Sequence, residues 1–388
     1  MQNNVELADV IRRFGKQFAG RETLSPGQTK ALYNILHCRT AVLGGHEEAC
    51  TCCGEVRYSY NSCGDRHCPK CQGTKQALWV EQLKQTTLPV RHYHIVFTVP
   101  HCLNKLCLWD SGMFYKLLFR AVWATLHSFG YTHYGVESGA VAMLHTWGQN
   151  LWPHPHIHCL VPAVGYSLQG KWKHIGKNHR FLYPVRELGK TFKGKFLDSL
   201  QRYLRKHDQY TASFDSHIQE AYSKKWVVFS EASMAKPGHV IQYLGQYTHR
   251  VAISNHRILS ISDTEVTFVA KDYREKAVPK PVTLDGVEFL RRFCLHILPK
   301  GFVKVRRFGI YNATTKRNLE LEFGNETIET VKTKKKETVG EALKRLAGID
   351  LSACPSCKAG TMVKIRKLPR IRSPGNHLPS LLKASFQF

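Results

Sequence analysis

The sequence predicts an α+β protein in which an antiparallel sheet with flanking helices follows a small zinc-binding domain. Segments that alternate apolar and polar residues, such as residues 91–100, recur in the middle of the chain and are typical of strands with one buried face. Amphipathic stretches at helical spacing, such as residues 188–204, lie between them. Before residue 72, cysteines and histidines are closely spaced, and in a reducing cytosol such clusters hold metal more often than they form disulfides.

The length and the charge of the chain limit what it can be. Its 388 residues are enough for two or three domains. We divide them into a helical N-terminus with the zinc-binding domain (1–84), a central domain (85–275) and a basic C-terminal region with a partly disordered tail (276–388). The 56 Lys and Arg against 29 Asp and Glu give a net charge of +27, which favours a polyanionic partner, most often nucleic acid. No apolar run is long enough for a membrane span or fit for a signal peptide, so a cytoplasmic location is expected.

Two Cys-x2-Cys pairs lie in the N-terminal part. Cys50 pairs with Cys53 and Cys68 with Cys71, and a hairpin-like stretch joins the two pairs. This is the spacing of a four-cysteine zinc ribbon, because a tight turn lets two thiolates three residues apart converge on one ion. The sequence therefore predicts a structural zinc ion on these four cysteines.

A second set of cysteines and histidines is interspersed with the first. It can hold another zinc ion, or it can pack around the first site, and its members are Cys38, His46, Cys63 and His67. Cys52 is left over. Closed four-ligand sites stabilise small folds and carry no chemistry. We therefore expect one or two structural zinc ions, and basic residues such as Arg57 and Arg66 presented to DNA.

A histidine-rich stretch occupies residues 152–162. Alternate side chains of a strand share a face, so His154, His156 and His158 are expected on one face and Ile157 on the other. Two imidazoles two residues apart on a rigid strand are spaced to hold one metal ion. The alternative is a set of partly exposed histidines on an edge strand.

The stretch over residues 236–250 predicts a helix, because Pro237 suits a first helical turn and apolar residues recur at helical spacing. Tyr243 and Tyr247 lie one turn apart on a stripe bordered by glutamine, histidine and arginine. Tyrosines at this spacing are usually packing residues. The polar border instead favours phenolic oxygens that face a basic cleft.

Residues 257–262 and 265–270 predict a hairpin that completes the antiparallel sheet carrying the histidines. A helix over residues 286–298 follows, with apolar residues on one face. Both elements therefore continue the mixed helix and sheet pattern.

The rest of the C-terminal region is basic, with runs at 304–307 and 332–336. Cys354 and Cys357 form a single knuckle with no second Cys-x2-Cys pair nearby, which argues against a further zinc ion there. The proline-containing tail from Lys364 is predicted to be weakly ordered.

Several of these motifs together resemble the two-tyrosine HUH rolling-circle transposases of the insertion-sequence-91 group. HUH denotes histidine, hydrophobic residue, histidine, as in His156-Ile157-His158. The resemblance extends from about Cys38 to Gly309. The motifs that carry it lie at residues 44–46, 61–63, 66–71, 154–161 and 243–255, with a further similarity at 298–302.

The resemblance implies an HUH endonuclease domain over residues 85–275 that cuts single-stranded DNA at the ends of a mobile element. Tyr243 and Tyr247 would be the nucleophiles, and attack would form a 5′-phosphotyrosine and free a 3′-OH. A divalent cation, Mg²⁺ or Mn²⁺, held by His156 and His158 would neutralise charge on the scissile phosphate.

A third metal ligand is needed, and His154 is preferred because it shares the strand face, with Gln149 and Gln246 as other candidates. Arg250 and Arg257 either contact DNA phosphates or are solvated surface charges. Two rival functions remain: an HUH replication initiator or relaxase, and a zinc-containing DNA-binding protein without catalysis. The zinc cluster and the absence of a Gly-x4-Gly-Lys-Ser/Thr helicase motif favour the transposase. Its expected place is the bacterial cytoplasm, at the nucleoid, and its oligomeric state is left open.

Overall fold

The computed structural model describes most of the chain. The described residues are 5–88, 90–176, 181–232, 251–272, 275, 277–313, 315, 322–323, 326–327, 340–341, 344–345, 348 and 350–371. The helix predicted over 236–250, the basic run 332–336 and most of the tail lie outside them.

Helices and antiparallel strands make up the described part of the chain, which confirms the α+β prediction. The helices are α1 (Leu7–Arg21), α2 (Pro26–Leu36), α3 (Pro69–Thr86), α4 (Asn104–Trp109), α5 (Ser111–Phe129), α6 (Val185–Lys206), α7 (Ala212–Ser223) and α8 (Gly286–Cys294). The strands are β1 (Gly45–Cys50), β2 (Val56–Tyr60), β3 (His92–Thr98), β4 (Val136–Glu137), β5 (Gly139–Trp147), β6 (Pro153–Pro162), β7 (Val164–Ser167), β8 (Trp172–His174), β9 (Val228–Ala232), β10 (Ile258–Ile261), β11 (Glu265–Asp272), β12 (Val278–Asp285), β13 (Val305–Gly309), β14 (Glu322–Phe323), β15 (Glu326–Thr327) and β16 (Met362–Leu368).

The histidine-rich strand β6 lies at the centre of the main sheet, whose order in the described chain is β13-β5-β6-β3-β9. Ile157 and Cys159 face the apolar layer formed by α5 and α6 and are fully buried, as the alternation predicts. The opposite face carries the histidines. Farther along that face, Met143 and Leu160 pack against Leu83 of α3. The sheet therefore buries one face completely and places the imidazoles on the other.

The hairpin predicted over residues 257–270 does not complete this sheet, and that prediction is wrong. Strands β10 and β11 form a separate sheet with β12. The reason is that β11 pairs with β12 along its whole length, while β13 occupies the edge of the main sheet beside β5. The strand β13 also lies beyond residue 275, where the sequence places the end of the central domain.

The N-terminal helices pack against this second sheet. Ser25 caps α2 in a reciprocal capping box with Gln28, and Pro26 occupies its first turn, so local sequence determines where α2 begins. At the start of α8, a Cβ on Gly286 would lie 2.4 Å from the ring of Phe14, so this close approach of α1 requires glycine. Helices α1 and α8 therefore share one core with the sheet.

A third sheet joins the two ends of the chain in the order β16-β1-β2. The tail predicted to be weakly ordered from Lys364 begins instead within strand β16, which pairs with β1 from Met362 to Leu368. None of the described helices is long and apolar enough to cross a membrane.

Candidate functional site

Three imidazoles converge on the face of the main sheet opposite the apolar layer of α5 and α6. The register places His145 of β5 directly opposite His156 of β6, and His158 follows two residues later on the same face. The ring centroids are 4.5 Å apart for His145 and His158, 4.9 Å for His156 and His158, and 5.2 Å for His145 and His156. One ligand nitrogen of each ring lies within 4.8 Å of the others. Three nitrogens at this spacing can bind one metal ion and leave its other positions open.

The surroundings keep these rings in the metal-binding form. The Nδ1 of His156 lies 2.6 Å from the backbone oxygen of His154, to which it donates, and this leaves Nε2 as the ligand nitrogen. The Nδ1 of His158 lies 2.8 Å from Nε2 of His94. Burial lowers the pKa of His156 and His94 to about 4, and burial followed by the neighbouring His156 lowers that of His158 to about 2. Near neutral pH the rings of His94, His156 and His158 are therefore uncharged, and metal binding requires uncharged imidazole.

The third imidazole in this set is His145 rather than His154, which the sequence analysis preferred. The ring of His154 lies 5.0 Å from that of His156 and 5.4 Å from that of His101, outside the group whose ligand atoms converge. Gln149 lies in the turn between β5 and β6, where its backbone oxygen accepts from Arg257. Gln246 lies outside the described residues. The signal that could have identified His145 is the apolar stretch at residues 140–146 just before the histidine strand, because strands joined by a short turn pair as a hairpin.

Tyr243 and Tyr247 lie outside the described residues, but both ends of the segment that carries them are placed. Before it, Ala232 of β9 pairs with Tyr93 of β3 in the main sheet. After it, Val251 lines a cavity together with Trp147. The ring of Trp147 stacks on His145, with 5.4 Å between the centroids. The described residues that flank this segment therefore lie on the outer strand of the sheet and in a cavity that Trp147 also lines.

The cavity beside Trp147 has a volume of about 300 Å³ and a partly basic lining. It lies between the zinc-binding domain, which contributes Arg66, and the segment before β13, which contributes Lys304. The ammonium of Lys304 lies 5.0 Å from the centroid of the Trp147 ring. Burial, and then the charge of Arg66, lower the pKa of Lys304 to about 7. Basic and aromatic groups thus line this cavity, and one of them, Trp147, stacks on His145.

The arginines predicted to meet DNA are largely used inside the protein. Arg257 is buried, and its guanidinium donates to the backbone oxygens of Val269, Ala252 and Gln149, which corrects its prediction as a phosphate contact. Arg66 donates to the backbone oxygens of Phe302 and Pro299, and Arg57 donates to Glu48 and Leu351. Arg250 lies outside the described residues.

Arg257→Ala should lower the free energy of unfolding by about 2–4 kcal/mol, because it leaves buried carbonyl oxygens without their donor. Chemical denaturation measures this effect. Arg202 of α6, whose side chain is 74% exposed, provides the control: Arg202→Ala should change stability by no more than about 0.5 kcal/mol. Arg257→Ala should leave the salt dependence of DNA binding unchanged. A smaller slope of log affinity against log salt concentration would show instead that Arg257 contacts a phosphate.

The described cysteines form two clusters of four, and their membership differs from the prediction. Cluster 1 consists of Cys38, Cys63, Cys68 and Cys71. Cluster 2 consists of Cys50, Cys53, Cys354 and Cys357. The two predicted knuckles therefore belong to different clusters, and the knuckle at 354–357, expected to lack a partner, completes the second.

The length of the β1–β2 hairpin explains this division. Cys50 and Cys53 lie at its tip, whereas Cys63 follows its base, where Gly45 pairs with Tyr60. Six residues of β1 span about 20 Å, too far for one ion to join both ends.

His46 and His67, predicted as zinc ligands, lie outside both clusters. The Nε2 of His46 lies 2.9 Å from a carboxylate oxygen of Glu48. His67 instead lines the cavity beside Trp147, and burial lowers its pKa to about 4. Neither imidazole is therefore needed to complete a four-ligand site, since each cluster already has four thiols.

Two family models and two known proteins match this chain. Residues 139–318 match a family model described as "Putative transposase" (Y2_Tnp), and residues 10–99 match one described as "Transposase zinc-binding domain" (Zn_Tnp_IS91). The chain is 37% identical over 388 residues to "Putative transposase y4qJ" of Sinorhizobium fredii, and this match covers 95% of this chain and 97% of that protein. It is 27% identical over 294 residues to the "Transposase for insertion sequence element IS801" of Pseudomonas savastanoi pv. phaseolicola, with 73% and 70% covered. No solved structure matches.

These matches, with the cysteine clusters, define a transposase that has a zinc-binding domain. The chain belongs to the IS91 family of Y2 transposases, which confirms the resemblance seen in the sequence. Its partner is accordingly DNA, its class is that of the DNA-cleaving enzymes, and its cysteine-rich domain binds zinc.

Proposed function

We propose that the protein is a rolling-circle transposase that nicks and rejoins single-stranded DNA through a 5′-phosphotyrosine intermediate. The proposal rests chiefly on the convergence of three imidazoles, those of His145, His156 and His158, on the face of the main sheet opposite the α5–α6 layer. Tyr243 and Tyr247 supply the nucleophiles. The described residues that flank their segment support this assignment, because Ala232 belongs to the outer strand of that sheet and Val251 shares a cavity with Trp147, whose ring stacks on His145.

The donor set fits a divalent cation. Within the described residues, the converging group consists of three imidazole nitrogens without a carboxylate. When bound there, such a cation would withdraw charge from the scissile phosphate and make the phosphorus more electrophilic. His156 is oriented for this role by its Nδ1 contact with the His154 carbonyl.

In the proposed cleavage a tyrosine becomes covalently bound to the DNA phosphate. Its phenol, with an ordinary pKa of about 10, gives up its proton as its oxygen attacks the phosphorus. The bond from phosphorus to the 3′-oxygen breaks, so a 3′-OH is released and the 5′ phosphate stays on the tyrosine. A 3′-OH that arrives later can attack the phosphotyrosine, which reverses the step and releases the tyrosine. In the meantime the second tyrosine can cleave another strand. No ATP is needed because the phosphotyrosine conserves the energy of the phosphodiester.

We assign a structural zinc to cluster 1. The Sγ atoms of Cys38 and Cys63 both approach that of Cys71, at 3.5 and 3.6 Å respectively. Cys68 begins α3 and, like Cys38, is buried in the core shared with α1 and α2. All four cysteines lie within the residues matched by the zinc-binding family model. The ion would hold the ends of two helices together and take no part in the chemistry.

The decisive test is a covalent adduct. The full-length protein is incubated with single-stranded DNA bearing the element's end and a divalent cation, and the products are resolved under denaturing conditions. An adduct that then transfers its strand to a second DNA end is expected. Binding without an adduct would leave a zinc-containing DNA-binding protein, and an adduct without transfer to another end would favour an HUH replication initiator or relaxase.

Mn²⁺ should support faster adduct formation than Mg²⁺ at equal concentration, by about tenfold, because nitrogen ligands suit the softer ion better. The initial rate of adduct formation across a titration of each metal measures the difference. Equal or higher rates with Mg²⁺ would contradict the all-imidazole ligand set.

A further inference from the structure

We propose that cluster 2 binds a second structural zinc ion and joins the two ends of the chain through it. Its ligands are Cys50, Cys53, Cys354 and Cys357. Cys50 and Cys53 lie within the zinc-binding family match at residues 10–99, whereas Cys354 and Cys357 lie beyond both matched ranges. The site is therefore composite, with one knuckle from each end of the chain.

The sulfur geometry is that of a tetrahedral zinc site. The Sγ atoms of Cys50 and Cys357 are 3.7 Å apart, and so are those of Cys53 and Cys354. Zinc–sulfur bonds of about 2.3 Å place tetrahedral sulfurs about 3.8 Å apart, whereas a disulfide requires about 2.05 Å. The spacing therefore matches four thiolates around one ion and not two disulfides.

The backbone around the two knuckles supports the same conclusion. The backbone N–H of Cys52 donates to the Sγ of Cys50 at 3.4 Å, and that of Gly360 donates to the Sγ of Cys357 at 3.3 Å. Such bonds stabilise thiolates, the form that binds zinc. A Cβ on Gly360 would lie 2.3 Å from the Sγ of Cys50, so this turn closes tightly over the other knuckle.

A metal ion at cluster 2 stabilises a part of the molecule that has only a small hydrophobic core. In the described chain, the buried apolar group beside the site is small, consisting of Cys50, Cys354 and Met362 with Cys357 at its edge. Strand β16 is largely exposed, and Val363 and Ile365 are half-exposed. A small sheet without a substantial core is marginally stable in water, and a four-thiolate zinc site is a common remedy.

The site therefore determines where the C-terminal region lies. Cys53 and Cys354 are 301 positions apart, and next to them Thr51 and Thr361 are joined by a backbone hydrogen bond. The pairing of β16 with β1 continues from this point. Zinc at cluster 2 makes the C-terminal strand part of the zinc-binding domain.

The test replaces the C-terminal knuckle in the full-length protein. Cys354→Ser with Cys357→Ser should remove one zinc equivalent per chain, measured by elemental analysis. After cobalt substitution, thiolate-to-cobalt absorption should fall by about half, because cluster 1 retains its four thiolates. Cys52→Ser is the matched control: this exposed neighbour lies outside the clusters, and its loss should change neither reading. Limited proteolysis should cleave the double variant before β16 at a much higher rate than the control.

Gly360→Ala provides a second variant that retains every thiol and should still weaken zinc binding at cluster 2. The proposal would be overturned if the double cysteine variant retained all of its zinc. It would also be overturned if the wild-type protein, purified under reducing conditions, contained two disulfides. These readings need no DNA, so they are independent of the proposed cleavage reaction. Retention of the cluster 1 cobalt signal shows that the variant has folded.

Discussion

Replacing Tyr243 and Tyr247 together by phenylalanine should abolish the covalent adduct with single-stranded DNA, with a loss of at least about 10³-fold. The variant lacks only the phenolic oxygens, and no neighbouring group can replace a nucleophile that forms the covalent bond. Gel analysis of adduct formation with Mn²⁺ measures the effect, and DNA binding should remain. Each single variant should retain nicking but lose transfer between two DNA ends, because one tyrosine then has to serve both strands.

The matched control is Tyr222→Phe on α7, a partly exposed tyrosine whose hydroxyl contacts Gln201. Adduct formation by this variant should equal that of the wild type. An adduct that persists in the double variant at Tyr243 and Tyr247 would refute the assignment of the nucleophiles, whatever the metal dependence of the reaction.

His145→Ala should reduce metal-dependent adduct formation by about 10²-fold or more, whereas His154→Ala should reduce it by less than about tenfold. The reason is geometric: the ligand nitrogens of His145, His156 and His158 converge, and His154 lies outside that group. His154 is a demanding control because its ring lies 5.0 Å from that of His156 on the same strand.

A titration with Mn²⁺ distinguishes a ligand from a residue that merely shapes the site. His145→Ala should shift the half-maximal Mn²⁺ concentration upward and recover part of its rate at high Mn²⁺, since two imidazoles remain. If His145→Ala were as active as the wild type and His154→Ala lost activity, the third ligand would be His154, the residue preferred from the sequence.

The elements of this protein follow from local patterns. The alternation that places Ile157 opposite His156 and His158 depends on the geometry of a single strand, and the structure retains it. The start of α2 at Pro26 depends on capping within one turn. Such features need no information from distant parts of the chain, so local sequence is enough to predict them.

The membership of the sites required long-range contacts instead. His145 joins the histidine cluster because of the register between two strands, and register is specified by the whole hairpin. Arg257 is a structural residue because it is surrounded by three carbonyl oxygens, of which that of Gln149 lies 108 positions away in the sequence.

Cysteine spacing identified the knuckles but not their partners. The C-x2-C spacing is a local property that brings two thiols together, and both N-terminal knuckles and the C-terminal one were recognisable from it. Which knuckles share an ion depends on how the chain returns on itself. The β1–β2 hairpin separates its tip from its base, and β16 brings Cys354 and Cys357 to that tip from the far end of the chain. Residue types and their spacing were thus sufficient to identify the family, while strand pairing, in one case across about 300 residues, decided which side chains lie together in each cluster.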